Sequence, residues 1–386
     1  MKINLLENTS EVKDNVFYSI SNNLDQQIKS VNNLKDNYKD KNIYQKIKTF
    51  PKTRYYGSKK RLLPWIYDNL KDLEFNTVLD GFGGTSSVSL LFKAMEKDIT
   101  YNDIFKWNTI SAKVLLDNKF PTKVIKAEEF IDSIEPLENN FIYNNYKNVF
   151  YTDDENKWLD GAIIKINSVK NQKVKRLYLY CLFQACLMKR PFNLFHRANL
   201  NLRINNVERQ FGNLTTWNTS FPKLMKSILI DVHSLMWDNG KNIKVLSNNV
   251  QNINKKFDLV YLDPPYVADG NNDNYLKRYH FLEGLCNYEK WEDKINEKTK
   301  IKVYESTDEI RKWEDKKNFK KRLFNLIKKH KDSIVVLSYM TNAIPSITEI
   351  SKFFEEHFSQ VTVSTYNLNH ALAKTKRTEV LIIGEP

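Results

Sequence analysis

The chain has 386 residues, 41% of them apolar and 13% aromatic, enough for one large domain or two with a substantial core. Its 60 Lys and Arg outnumber 46 Asp and Glu, giving a formal charge of +14 and a pI near 9.3. That excess favours a polyanionic partner, most often nucleic acid, although a Lys- and Asn-rich composition bias would produce it as well. The three cysteines form no Cys-x-x-Cys pair, no apolar run approaches the ~18 residues of a membrane span, and the N-terminus has no signal-like apolar core. Neither metal nor membrane is therefore expected, and the cytoplasm is the expected location.

Residues 1–49 are polar and rich in Asn, Lys and Asp, and read as an extension of one or two helices or as partly disordered chain. Lys52–Arg61 is a basic, aromatic loop, followed by a helix pattern over Leu62–Leu70. Thr77–Asp80 reads as a short strand running into Gly81-Phe82-Gly83-Gly84-Thr85-Ser86-Ser87, then a helix over Val88–Met95 and a second strand over Ile99–Asp103. This is a βαβ unit with a Gly-rich first turn, and the acid Asp103 follows at the roughly 20-residue offset at which such an acid holds a ribose hydroxyl pair. Residues 117–240 differ in character. They hold an apolar helix pattern over Leu177–Lys189, with Cys181 and Cys186, and then a polar segment mixing Arg, Asn and aromatic residues; alternation over Asn199–Ile204 predicts a strand, one arm of a hairpin. Strand-like Ile243–Leu246 precedes the apolar run Phe257–Leu262, which ends in Asp263-Pro264-Pro265-Tyr266. Beyond it, the sequence predicts a buried strand over Ser333–Ser338, a helix over Pro345–Phe358, and strands over Gln360–Tyr366 and Glu379–Ile383. Strands alternating with helices imply a largely parallel α/β sheet ending in an antiparallel pair.

Two motifs carry chemistry. A glycine turn after the first strand and an acid after the second describe a site for an adenosyl cofactor, whereas no Gly-x-x-x-x-Gly-Lys-Ser/Thr phosphate cradle is present. Asp263 stands where open α/β sheets bind ligands, and the two prolines remove N–H donors and leave carbonyls free to accept. Asp263 and the Pro264 carbonyl can each accept one hydrogen of a planar amine while Tyr266 offers a face for the ring. The same four residues as a plain strand-end turn, with Asp263 as a helix cap, are the structural alternative.

These motifs resemble the Dam-like (D12 class, α group) N6-adenine DNA methyltransferases, from about residue 52 to the C-terminus. Tyr55-Tyr56-Gly57-Ser58-Lys59 resembles the family's N-terminal motif, Asp80–Ser86 its Phe-x-Gly-x-Gly turn, Asn102-Asp103-Ile104 its ribose-binding motif and Asp263–Tyr266 its catalytic motif. Phe192-Asn193 through Asn199-Leu200, then Phe211-Gly212, resembles its DNA-reading region; Tyr279–Leu285 and Leu337-Ser338-Tyr339 recur in relatives attached to restriction–modification systems. The resemblance implies a Rossmann-like class I methyltransferase sheet (50–116 and 241–386) with an inserted target-recognition domain (117–240). It also implies S-adenosyl-L-methionine as cofactor, double-stranded DNA as substrate with the target base flipped out, and a cognate restriction endonuclease as functional partner. The implied cofactor residues are Tyr55, Tyr56, Gly57, Lys59, Asp80, Gly81, Phe82, Gly83, Gly84, Asp103, Ile104, Asn249 and Asp263. Because Arg pairs bidentately with guanine and Asn with adenine, Arg190, Asn193, Arg197, Asn199, Asn201 and Arg203 are the candidates for DNA contact. Two positions depart from the family: Ser86 replaces the last glycine of the turn, and Asn248 or Asn249 stands where relatives often carry an acid near the cofactor's adenine. Cytosine-N4 methylation, RNA or protein-glutamine methylation, and a DNA-binding protein with a weak or inactive core remain the alternatives, with Asp at position 263 favouring adenine.

Overall fold

The computed structural model describes residues 39–119, 124–205, 214–267, 275–305, 308–368 and 377–386. Residues 39–49 are helical and belong to a unit of their own, Met1–Thr49; Phe50–Pro386 is a second compact unit. Within it lies a seven-stranded sheet built from β1 (Thr77–Asp80), β2 (Asp98–Asn102), β3 (Ile243–Leu246), β4 (Leu259–Leu262), β5 (Ile334–Met340), β6 (Gln360–Leu368) and β7 (Arg377–Glu385). Their order is β3-β2-β1-β4-β5-β7-β6. The first five pair in parallel, and β7 lies antiparallel to both β5 and β6. The α/β fold with a C-terminal antiparallel pair is thus as the strand pattern implies.

Parallel strands buried on both faces become near-continuously apolar, and every residue of β4, Leu-Val-Tyr-Leu, is buried. On one face Val260 and Leu262 join a core with Leu323, Ile350 and Phe354. The chain order reverses between β1 and β4, which pair with Asp80 opposite Tyr261. In open α/β sheets the crevice beyond such strand ends is where ligands bind.

Described residues of the segment 117–240 pack into a core that it shares with the rest of the unit. Leu182 and Cys186 of the 18-residue helix Gln172–Lys189, and Met225 of Phe221–Ser234, share one with Trp107 and Leu115 and with Tyr279 and Leu282. Cys181 and Cys186 are fully buried there, their thiols pushed far up by desolvation. Over Asn199–Ile204 the expected strand is instead a single helical turn, Asn201–Ile204. The alternation was misleading because Leu202 and Ile204 are both exposed, while Arg203 turns inward to an ion pair. The helix expected from Pro345 begins at Ile347, where Ser346 and Glu349 form a capping box. Among the described residues no helix is long and apolar enough to cross a membrane.

Candidate active site

The loop leaving β1 is fixed from both neighbouring strands. Gly81 N–H donates to the Tyr261 carbonyl at 2.9 Å and Gly83 N–H to that of Asn102 at 2.8 Å. A Cβ on Gly83 would sit 2.1 Å from the Tyr101 ring, so only glycine lets the loop approach β2 this closely. Asn102 ties the strand ends together, its amide donating to the carbonyls of Gly81 (3.1 Å) and Asn248 (3.0 Å). Asp103 accepts Gly84 N–H on one oxygen (2.9 Å) and Phe105 N–H on the other (2.8 Å). Burial pushes its carboxyl up to about 6, against those hydrogen bonds; burial likewise pushes Asp80 to about 7, although the Ser89 hydroxyl donates to it at 2.6 Å. At the residue where the family carries its last glycine, Ser86 adopts φ 63°, the left-handed conformation that a glycine would take without cost.

Beyond these strand ends opens a cleft that is partly open to solvent, at the place where open α/β sheets bind ligands. Its lining includes Tyr55, Gly57, Lys59, Asp80, Gly81, Phe82, Gly83, Gly84, Asp103, Ile104, Asn249, Asp263, Pro265 and Tyr266. Two of the expected residues are not in the wall. Pro264 is buried, and Tyr56 is half-buried, its N–H bonded to the Tyr279 hydroxyl (2.7 Å) and its ring 3.9 Å from the Arg278 guanidinium. Two lining residues gave no sequence signal: Tyr275, and Trp313, which meets Phe82 edge-on at 4.9 Å. Asn249 donates to Glu309 at 2.6 Å, so the acid missing at 249 is held beside it by a residue distant in sequence.

At the far end of the cleft four polar side chains converge. The Lys59 ammonium, 4% exposed, lies 2.8 Å from Asp263 Oδ1 and 3.7 Å from Glu379 Oε2, and donates to the Tyr266 hydroxyl at 2.7 Å. That hydroxyl is in turn 3.1 Å from Asp263 Oδ1 and 2.9 Å from Glu379 Oε2. Desolvation pulls the Lys59 ammonium down, but Asp263 and Glu379 outweigh it and hold it above its ordinary value, so lysine stays charged. Burial pushes the Asp263 carboxyl up, Lys59 pulls against that, and Glu379 adds to it. Lys59, expected from its motif to face the cofactor, is thus also the counter-ion of Asp263.

The expected DNA-contact residues divide sharply. Arg190 is 1% exposed and donates to the carbonyls of Leu194 (2.8 Å) and Arg197 (3.0 Å), with Phe150 stacked 4.4 Å away; it shapes the loop and has no access to a base. Arg203 makes a bidentate pair with Glu155 (2.8 and 2.6 Å), which also holds Lys189 at 2.8 Å; its side chain is 6% exposed. Both readings as base contacts are corrected by this burial. Asn199 is buried as well, whereas Arg197 and Asn201 are exposed. The Asn193 side chain, Phe211 and Gly212 lie outside the described residues. Tyr279 stacks on Tyr55 at 4.7 Å, and the buried His280 accepts Tyr304 N–H at 3.1 Å, with desolvation pulling it down to about 3.

A family model of the D12 class N6 adenine-specific DNA methyltransferases matches residues 55–333, most of the described fold and every element of the cleft except Glu379's strand. Among curated proteins the chain is similar to the type II methyltransferase M2.HphI of Haemophilus parahaemolyticus, 25% identical over 87% of this chain and 98% of that one. It is similar also to the type II methyltransferase M.NlaIII of Neisseria lactamica, 22% identical over 78% and 87%. The modification methylase StsI of Streptococcus sanguinis is 28% identical over 61% of this chain but only 36% of its own length. The family match sets aside cytosine-N4, RNA and protein-glutamine methylation: the chain belongs to the D12 class of N6 adenine-specific DNA methyltransferases.

Proposed function

We propose that the cleft binds S-adenosylmethionine against β1 and β2 and receives a flipped-out adenine at Asp263–Tyr266. The observation that carries this reading is that Asp263, Pro265 and Tyr266 line the same cleft as Gly81–Gly84 and Asp103. The residues fit such a donor. Each Asp103 oxygen accepts one backbone N–H and keeps a lone pair for a ribose hydroxyl. Phe82, Ile104, Val250 and Trp313 offer apolar surface to a planar base. Among the described residues of the lining, the acids Asp80, Asp103 and Asp263 outnumber the one cation, Lys59, which favours a cationic ligand. When bound, the cofactor supplies a methyl group on positively charged sulfur.

The protein's part is positioning. Among the described residues, the Lys59 ammonium and the Tyr266 hydroxyl both meet Asp263 at Oδ1, which leaves Oδ2 to accept a hydrogen from the adenine N6 amine. The Pro264 carbonyl is the second acceptor proposed, and the Tyr266 ring the stacking face. Drawing both N–H bonds toward acceptors localises the amine lone pair, which conjugation otherwise spreads into the ring, and aligns it for attack. An adenine inside a duplex cannot reach a cleft at the strand ends, so it must leave the stack. Arg197 and Asn201, with Asn193, are the proposed reading residues of a target-recognition segment at 117–240, and the +14 charge supports phosphate contact around them. Since two relatives are called type II methyltransferases, we place the chain in a restriction–modification system of a bacterial or phage-infected cytoplasm, with a cognate endonuclease reading the same sequence.

The test is to incubate the protein with labelled S-adenosylmethionine and unmethylated duplex DNA, digest the DNA and identify the labelled nucleoside. N6-methyldeoxyadenosine is the expected product; N4-methyldeoxycytidine, or no transfer from this donor, would contradict the reading.

A further inference from the structure

Glu379 is out of keeping with its strand. It precedes Val380-Leu381-Ile382-Ile383 on β7, all buried, and is itself 7% exposed. β7 delivers it opposite Met340 of β5, to the end of the cleft where Lys59, Asp263 and Tyr266 meet. A buried carboxylate costs free energy unless its partners repay it, and the partners it finds are the two groups that touch Asp263.

The hydrogen-bond arithmetic assigns it a task. Lys59 donates to the Tyr266 oxygen, so the phenol has one proton to give and two carboxylates in reach, Glu379 at 2.9 Å and Asp263 at 3.1 Å. We propose that Glu379 is a positioning residue for methyl transfer: it accepts the Tyr266 hydroxyl hydrogen bond, fixing the ring and keeping a second donor off the Asp263 carboxylate. Without it the phenol turns its hydrogen to Asp263 Oδ1, which Lys59 already contacts, and a second donor on that oxygen makes the carboxylate a weaker acceptor for the adenine amine. Glu379 also gives Lys59 a second anion, so the Lys59–Asp263–Glu379 group carries one net negative charge beside the cleft. This inference rests on the reading of Asp263 and Tyr266 given above.

The experiment is a double-mutant cycle on single-turnover methyl transfer with Glu379→Gln, Tyr266→Phe and the pair. Glu379→Gln keeps the shape and is expected to slow transfer about tenfold or more, with Kd for S-adenosylhomocysteine and for DNA, read by calorimetry and anisotropy, changed by less than about threefold. On the Tyr266→Phe background, where the hydroxyl is gone, the same substitution is expected to add less than about twofold. If Glu379→Gln does not fold, Glu379→Asp carries the test, since it withdraws the carboxylate from the hydroxyl and should lose rate in the same Tyr266-dependent way. Full rate in either folded variant, an equal loss with and without the hydroxyl, or a loss that only follows a lower melting temperature overturns the inference. Wild-type transfer and Asp263→Ala run in the same series: if transfer to adenine is present and Asp263-dependent, a fully active Glu379 variant removes this inference alone.

Discussion

Replacing Lys59 by Met removes the one cation that faces Asp263 among the described residues while keeping most of the buried volume. The other described groups around that carboxylate include Glu379, the Tyr266 hydroxyl and, at the end of the neighbouring strand β1, Asp80, none of which can take over the charge. Removing one partner of a buried ion pair costs about 3–5 kcal/mol if the other stays charged. Taking up a proton is cheaper. At about 1.4 kcal/mol per pKa unit, a penalty near 3 kcal/mol is relieved by a rise of about two units. The Asp263 carboxyl already lies above its ordinary value in the folded protein. A carboxyl raised by folding leaves stability intact below the unfolded value, about pH 4, and loses it as pH rises through the folded value. Lys59→Met therefore moves the acid limb of the pH–rate profile up by about two units. It slows single-turnover transfer by up to about a hundredfold on that limb, with recovery as pH rises, and widens the melting-temperature gap to wild type as pH rises. The assay is methyl transfer and thermal melting across that range. An unchanged profile with wild-type rate would refute the ion-pair argument.

Four further substitutions test other parts of the account. Ser86→Gly removes a side chain from φ 63° and is expected to raise unfolding stability by about 1 kcal/mol in denaturant titrations, with transfer retained. Gly83→Ala forces a methyl group into the Tyr101 ring and is expected to cost about 1–3 kcal/mol and weaken S-adenosylhomocysteine binding in calorimetry. Arg203→Ala breaks the Glu155 pair and should cost about 2–3 kcal/mol of stability, Lys189 limiting the loss. Arg197→Ala is expected to leave stability within about 0.5 kcal/mol but to weaken DNA binding and lower its salt dependence by about one unit of log–log slope; the reverse pattern for the two arginines would undo their reassignment.

What was legible in the sequence is what is local. Thr77–Asp80 and Ile243–Leu246 appear as strands with the expected bounds, and the glycine turn, Asp103 and Asp263 converge on one cleft, because an apolar run and the breaker that ends it are adjacent in sequence. Charge does not report its own burial. Arg190 and Arg203 read as surface residues in a basic segment, yet one closes a loop on carbonyls and the other answers Glu155, nearly fifty positions upstream, with nothing near Arg203 to announce the partner. Trp313, Tyr275 and Glu379 reach the cleft through tertiary placement and carry no motif. Alternation alone misassigned Asn201–Ile204, since a period of two over so few residues is also satisfied by one helical turn with two exposed apolar side chains.

The claim at the centre of this account is that Asp263 prepares the adenine amine for methyl transfer and does not merely hold the fold or the DNA. Asp263→Ala tests it most directly, with transfer of labelled methyl to duplex DNA, DNA affinity and S-adenosylhomocysteine affinity measured on one preparation of folded protein. The prediction is loss of transfer by a factor of at least about a thousand, with both binding constants within about tenfold of wild type. Retained turnover in that variant would contradict the assignment, as would loss of transfer fully explained by loss of binding.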